Sequence, residues 1–203
     1  MKTPVRWSVQ IVTGDGAGMI MRPEGLLEYR THLLLLAHPE VERVEEQVGP
    51  IVYVDALGRR RKHYLDQLAH KTNGKRIGVV VKPEEKAQRP EFRDLVARVA
   101  AAAVPVFADE IVVVTERHHD AVDLHNAILL RGVRDADEEA DAAVSRLVEH
   151  MDGSASIADL VELSGLGGRA ARAAARLIGR GILETVDKVR IRSSTVVRRR
   201  PGT

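Results

Sequence analysis

The chain contains no cysteine. That absence removes disulfides, thiolate metal sites and cysteine nucleophiles together, and it agrees with a reducing compartment. Aromatic residues are scarce, one Trp, three Tyr and two Phe, which argues against a platform for stacking single-stranded bases. No apolar run approaches the ~20 residues that cross a bilayer. Met1 to Met21 also lacks the uninterrupted apolar core of a signal peptide, so the expectation is a soluble, cytoplasmic protein with no membrane partner. Neither sign of charge prevails: 31 Lys and Arg stand against 29 Asp and Glu. Net charge therefore names no partner, and a sequence pI of about 9.0 leans only weakly toward polyanions.

What is present divides into two styles. At 203 residues the chain has room for one full domain and a small second one. Residues 7–116 mix strand and helix signals, whereas alanine, arginine and leucine at helical spacing take over from about Asp137. The segment from Arg131 to Asp137 reads as the linker, giving expected domains of 1–132 and 133–203.

In the first part, Trp7 to Val12 reads as a short strand and Gly14 to Gly18 as a turn. No Gly-Lys-Ser/Thr follows that glycine stretch, so it does not read as a phosphate loop. Leu26, Leu27, Leu33, Leu34 and Leu36 suit a helix from Pro23 to Ala37, ended by Pro39. Strands follow at Val41 to Gln47, Ile51 to Val54, Arg61 to Ala69 and Arg76 to Val81, with hairpin turns at Asp55 to Gly58 and Thr72 to Gly74. Val79, Val80 and Val81 are apolar on both faces, as a covered central strand requires. A helix from Pro90 to Ala103, a strand from Glu110 to Thr115 and a helix from Ala121 to Leu130 complete an α/β core with a mixed sheet.

Three polar residues across this core carry the chemistry: Glu28 in the first helix, Asp66 on one strand and Lys82 ending the next. Hydrolysis of a phosphodiester needs a divalent ion that polarises a phosphoryl oxygen and acidifies the attacking water. Mg²⁺ is held by one or two carboxylates plus substrate oxygens and waters. Glu28 and Asp66 supply the carboxylates, and Lys82 suits the stabilisation of charge building on the transition state. The bland reading leaves Glu28 on a solvated helix face, with Asp66 and Lys82 simply ending strands.

The ordered set Leu26-Leu27-Glu28, Glu45-Glu46-Gln47, His63-Tyr64-Leu65-Asp66, Asn73-Gly74-Lys75-Arg76 and Val81-Lys82-Pro83-Glu84-Glu85-Lys86-Ala87 resembles the N-terminal domain of TnsA-type endonucleases. These are the subunits of heteromeric transposases that cut the strand the main transposase leaves intact. The resemblance spans roughly residues 8–116 and implies a restriction-endonuclease-like fold with a PD-(D/E)xK-type site. It implies Glu28 and Asp66 as Mg²⁺ ligands, Lys82 as the active-site lysine, and Gln47 as a recurrent glutamine with no metal role. Val80 falls where the family places a polar ligand. The backbone carbonyl of Val81, or Gln67, Glu84 or Glu85 as a displaced ligand, then has to supply the missing oxygen. Implied partners are double-stranded DNA, a DDE-type transposase and an AAA+ ATPase, with a homodimer admitted. The expected function is DNA cleavage in transposition, or in a domesticated or phage-borne setting. The other reading is a catalytically silent nuclease-fold protein that binds DNA or acts as an adaptor through its C-terminal domain.

In that C-terminal part, helices at Ala140 to Met151, Ser156 to Ser164 and Gly168 to Gly179 precede two strands, Gly181 to Val186 and Lys188 to Arg192. Ser156 is the expected cap of the second helix and glycine ends the third. Three helices and a hairpin make a winged helix. Arg169, Arg172 and Arg176 recur three and four residues apart on the third helix, and Lys188, Arg190 and Arg192 lie in the wing; together they form the expected DNA-binding set. The alternative is a basic stripe on a protein-binding module. His118, His119, Asp120 and His125 read as structural rather than metal-binding, and Arg198 to Arg200 as a basic tail.

Overall fold

A computed structural model describes residues 11–13, 19–21 and 25–201. The expected strand residues 7–10, the glycine-rich turn at 14–18 and Pro23 lie outside that set. Contacts divide the chain into two compact units, Met1–Leu36 with Glu40–Asp120, and Ala37–Pro39 with Ala121–Thr203. The helix beginning at Ala121 is thereby grouped with the second unit, upstream of the linker read from composition.

In the first unit, two short strands, β1 (Ile11–Thr13) and β2 (Met19–Met21), pair antiparallel. Helix α1 (Leu26–Leu36) follows. Then comes a four-stranded mixed sheet in the order β3-β4-β5-β6, formed by β3 (Val41–Val54), β4 (Arg60–Lys71), β5 (Arg76–Val81) and β6 (Glu110–Val114). The first three are antiparallel neighbours, and β6 runs parallel to β5. That parallel pairing requires a crossover, which α2 (Glu84–Ala87) and α3 (Pro90–Ala103) provide. Gly78, Val79, Val80 and Val81 are all buried, matching the two-sided apolar pattern of a central strand.

The sequence reads β3 as two strands, whereas it is continuous. Its irregularity is a register shift between Val48 and Ile51, where Gln47 takes φ of 52° and Gly49-Pro50 is cis. A proline here ends no strand because β3 is an edge of the sheet, where a missing N–H costs no ladder bond. Beneath the sheet, Ile51, Leu65, Val80, Val99 and Ala103 form a core with Tyr53, Phe92, Leu95 and Ile111 packed against it. This core joins α3 to the sheet.

The second unit holds α4 (Ala121–Gly132), α5 (Glu138–Glu149), β7 (Ser154–Ser156), α6 (Ile157–Ser164), α7 (Gly168–Gly179), β8 (Leu183–Thr185) and β9 (Val196–Arg199). Ser156 caps α6 as its sequence position predicts: its hydroxyl accepts from Asp159 N, and the Asp159 carboxylate accepts from Ser156 N. Ala170, Ala173 and Ala174 on α7 are fully buried with Val144, Leu160, Leu177 and Val197. Their small side chains let α5 and α6 approach closely.

One expected strand is absent. Residues 188–192 form a loop, because Asn126 takes the groups a ladder would use: its Nδ2 donates to Val189 O at 2.9 Å and its Oδ1 accepts from Ile191 N at 2.9 Å. The strand that pairs with β8 is β9, which also pairs with β7 to make a three-stranded sheet in the order β7-β9-β8.

Close packing between β5 and its neighbours concentrates at Gly78. A Cβ there would stand 2.5 Å from Ile111 Cδ1, 2.8 Å from Leu65 Cδ1 and 3.3 Å from Ala108 Cβ. Gly78→Ala therefore overpacks the core, and chemical denaturation should show a loss of about 1–3 kcal/mol.

Candidate functional site

Asp66 stands where β4 parts from β5. The antiparallel ladder between these strands covers Gln67↔Val79 to His70↔Arg76. The next β5 amide on that side belongs to Val81. Asp66 meets it with its side chain, Oδ2 accepting from Val81 N at 2.6 Å. On its other side β5 is held to β6, with Lys82 N donating to Val114 O at 3.0 Å. Since the N–H and C=O of one strand residue point the same way, the Val81 carbonyl faces the Asp66 side too. One carboxylate and one carbonyl are thus brought to one place by strand alternation.

Lys82, the next residue, lies with its Nζ 5.8 Å from the centroid of the Phe92 ring on α3, a cation–π distance. His63, three residues before Asp66, is an electrostatic neighbour of both. Burial pushes its imidazole below the usual histidine value, the Asp66 charge opposes that shift, and Lys82 adds to it. In the motif His63-Tyr64-Leu65-Asp66 the sequence assigns His63 no role, and strand alternation, which puts residues three apart on opposite faces, offers no signal for it.

Glu28 is placed through its helix. Gln67, 1% exposed, donates from Nε2 to the Glu28 carbonyl at 3.0 Å. Thr31, one turn further on, bonds His119 Nε2 at 2.9 Å through Oγ1. Thr31 already donates its hydroxyl proton to Leu27 O, so His119 is the donor in that pair. The first helix is pinned to β4 and to the segment after β6. Gln67 is thus a clasp through its Nε2, while its Oε1 is buried with no hydrogen-bond partner among the described residues. Glu84 and Glu85 are committed elsewhere: Glu84 bonds Gln88 at 2.6 Å and Arg117 at 3.3 Å, and Glu85 pairs with Arg89 at 2.7 Å. A hydrogen bond with Thr115 leads the causes that hold the Glu84 carboxyl below its ordinary value.

Val80 is a core residue, 2% exposed and packed with Val99 and Ala103 under α3. A carboxylate at this position would have to enter that core, at a cost on the order of several kcal/mol. The remaining donors, the Asp66 carboxylate and the Val81 carbonyl with Glu28 on the neighbouring helix, are all hard oxygens. Such a set fits Mg²⁺, which keeps most of its waters, and does not fit a thiophilic metal. Among the described residues, no group of three or more His, Asp or Glu side chains gathers as a metal site. The histidines after β6 serve structure: His118 Nδ1 accepts from Thr115 N at 3.1 Å and closes a 3-10 turn.

An open cavity of about 420 Å³ is lined by Phe92, the ring beneath Lys82, with Val96, Ala97, Val113 and Thr115 among others. Its walls are mainly apolar and offer no carboxylate, so it does not share the chemistry around Asp66.

The basic residues of the second unit separate sharply. Arg169 forks onto Asp137, at 2.8 and 2.7 Å, and also reaches Glu139 at 2.7 Å. Arg169 holds the Asp137 carboxyl well below the usual aspartate range. Arg176 is 6% exposed, with Nε 2.7 Å from Asp141 Oδ1 and Nη1 3.2 Å from Val133 O. Both arginines therefore bind α5 to α7, and the stripe expected to face DNA shrinks to Arg172, which is exposed. In the loop before β9, Lys188 pairs with Asp123 at 2.9 Å, while Arg190 and Arg192 are exposed.

Comparison with models of known protein families finds no match, and no curated protein is found similar to the chain.

Because Arg176 and Asp141 are buried together, truncating one strands the other. Arg176→Ala should cost about 3–5 kcal/mol of stability, whereas Arg172→Ala should change it by no more than about 0.5 kcal/mol. Urea denaturation of the two variants checks the contrast.

Proposed function

We propose that the chain is a DNA endonuclease of the TnsA-like kind, with a restriction-endonuclease-like first unit and a winged-helix second unit. The observation that carries the reading is the Asp66 carboxylate fixed on Val81 N–H at the end of the β4–β5 ladder, one residue from Lys82. The order helix, three-strand meander, crossover helix and parallel strand supports the fold assignment in the first unit. Helices α5, α6 and α7 with the sheet β7-β9-β8 support it in the second.

Asp66, the Val81 carbonyl and Glu28 would hold Mg²⁺, which when bound polarises the phosphoryl oxygen and lowers the pKa of the attacking water. Lys82 offsets the charge that accumulates on the phosphoryl oxygens, and the Phe92 ring beneath it limits where its flexible stem carries the ammonium. His63, with its basicity lowered by burial, sits beside this charge pair as a group able to orient water. The partners that accompany this reading are duplex DNA, a DDE-type transposase and an AAA+ ATPase, in a cytoplasmic setting. No described helix is long and apolar enough to cross a membrane.

One observation favours a second reading. Val80 is sealed into the α3 core, so the usual second ligand on this strand is replaced by packing. On that account the scaffold binds DNA or a protein partner without cutting.

Nicking of supercoiled plasmid by the full chain separates the two. Mg²⁺-dependent nicking that is abolished by EDTA and by Asp66→Ala, and reduced about a hundredfold or more by Lys82→Ala, is the expected result. DNA that is bound but never nicked would establish the silent reading, and nicking that survives Asp66→Ala would place the site elsewhere.

A further inference from the structure

The β4–β5 ladder ends at Gln67, so the distal parts of β3 and β4 form a two-stranded ribbon of their own. Its register is Val54↔Arg60, Tyr53↔Arg61, Val52↔Lys62 and Ile51↔His63. Arg59, Arg60, Arg61 and Lys62 are four consecutive cations. Strand alternation sends them to two faces.

On the α3 face, Ile51 and Tyr53 pack with Phe92 and Leu95. Arg59 and Arg61 there are consumed by Asp55, whose Oδ2 accepts from their Nε atoms at 3.0 and 3.1 Å. The same carboxylate takes Leu57 N and Arg59 N at 2.9 Å each, so one acid organises the hairpin tip and neutralises two of its four cations.

On the opposite face no carboxylate of the described residues plays that part. Arg60 and Lys62 are exposed and make no ion pair with any described residue. Val52 at 42%, Val54 at 52% and Tyr64 at 45% exposure lie beside them. The result is a stripe of two cations without an ion pair among the described residues, a phenol and two β-branched side chains, about 20 Å long at ~3.3 Å per residue, ending at Asp66.

We infer that this face of the β3–β4 ribbon is a docking surface for duplex DNA. The inference rests on the reading of the first unit as a DNA-acting domain. Two cations two residues apart match a phosphate backbone. A two-stranded ribbon fits a major groove about 12 Å wide, where Val52 and Val54 meet thymine methyl groups. Tyr64 donates its hydroxyl to a phosphate oxygen. Continuity of the stripe with Asp66 delivers the bound strand to the candidate site.

The test is fluorescence anisotropy of the full chain with a labelled duplex in EDTA, so that binding is read without cleavage, between about 50 and 200 mM salt. Arg60→Ala with Lys62→Ala should weaken binding and flatten the slope of log K against log salt by about 1.8, some 0.9 per phosphate. Arg60→Lys should keep the slope, as should Arg146→Ala on α5, and circular dichroism should show all variants folded.

An unchanged slope in the double variant overturns the ribbon assignment while leaving the nuclease reading to the nicking assay. A flattened slope in a protein that never nicks DNA supports the ribbon and removes the nuclease reading instead. Absence of wild-type duplex binding at about 50 mM salt overturns the ribbon, as does a double variant that loses phosphatidylserine vesicles yet keeps DNA.

Discussion

The first unit turns on one hydrogen bond, from Val81 N–H to the Asp66 carboxylate. A β-ladder would normally give that amide a backbone carbonyl. Here β4 diverges, and a side chain takes its place. The substitution satisfies a buried strand donor, which would otherwise cost ~1–3 kcal/mol. It also fixes a carboxylate beside the Val81 carbonyl and Lys82. The same divergence frees the distal half of β4 from β5, so there the β3–β4 pair continues as a two-stranded ribbon packed on α3 by one face.

Around this point, polar residues work as fasteners. Gln67 holds the backbone of Glu28, and His119 holds Thr31, so α1 is located by two hydrogen bonds from different parts of the unit. Val80 shows the opposite choice. This β5 residue buries a methyl-bearing side chain against α3, which strengthens the core and offers no oxygen. The same logic governs the second unit, where Arg169 and Arg176 spend their charge on Asp137, Glu139 and Asp141 of the α5 region.

Much of this was legible from residues in order. The apolar run Val79 to Val81 marked the central strand, Ser156 marked its helix start, and Asp66 and Lys82 marked polar positions on β4 and just after β5. What escaped depended on long-range partners. The period of Arg169, Arg172 and Arg176 shows a shared helical face but not that acids of α5 meet two of them. Asn126 holds residues 188–192 out of the expected strand by bonding residues more than sixty positions away. Gln47 to Pro50 suggested a break in β3, but an edge strand tolerates the irregularity as a bulge. The cations at 59–62 became informative only once pairing showed that Asp55 claims alternate members.

Under the proposed reading, Asp66, Val81 and the α1 segment around Glu28 would hold one cation at the end of the β4–β5 ladder. Titration of the ¹⁵N-labelled full chain with Mn²⁺, a paramagnetic stand-in for Mg²⁺, tests this through broadening of backbone amide resonances. The expected result is that Asp66, Val81, Lys82 and Glu28 broaden first and that added Mg²⁺ restores them. Broadening centred on another part of the chain, or none at these amides, would contradict it.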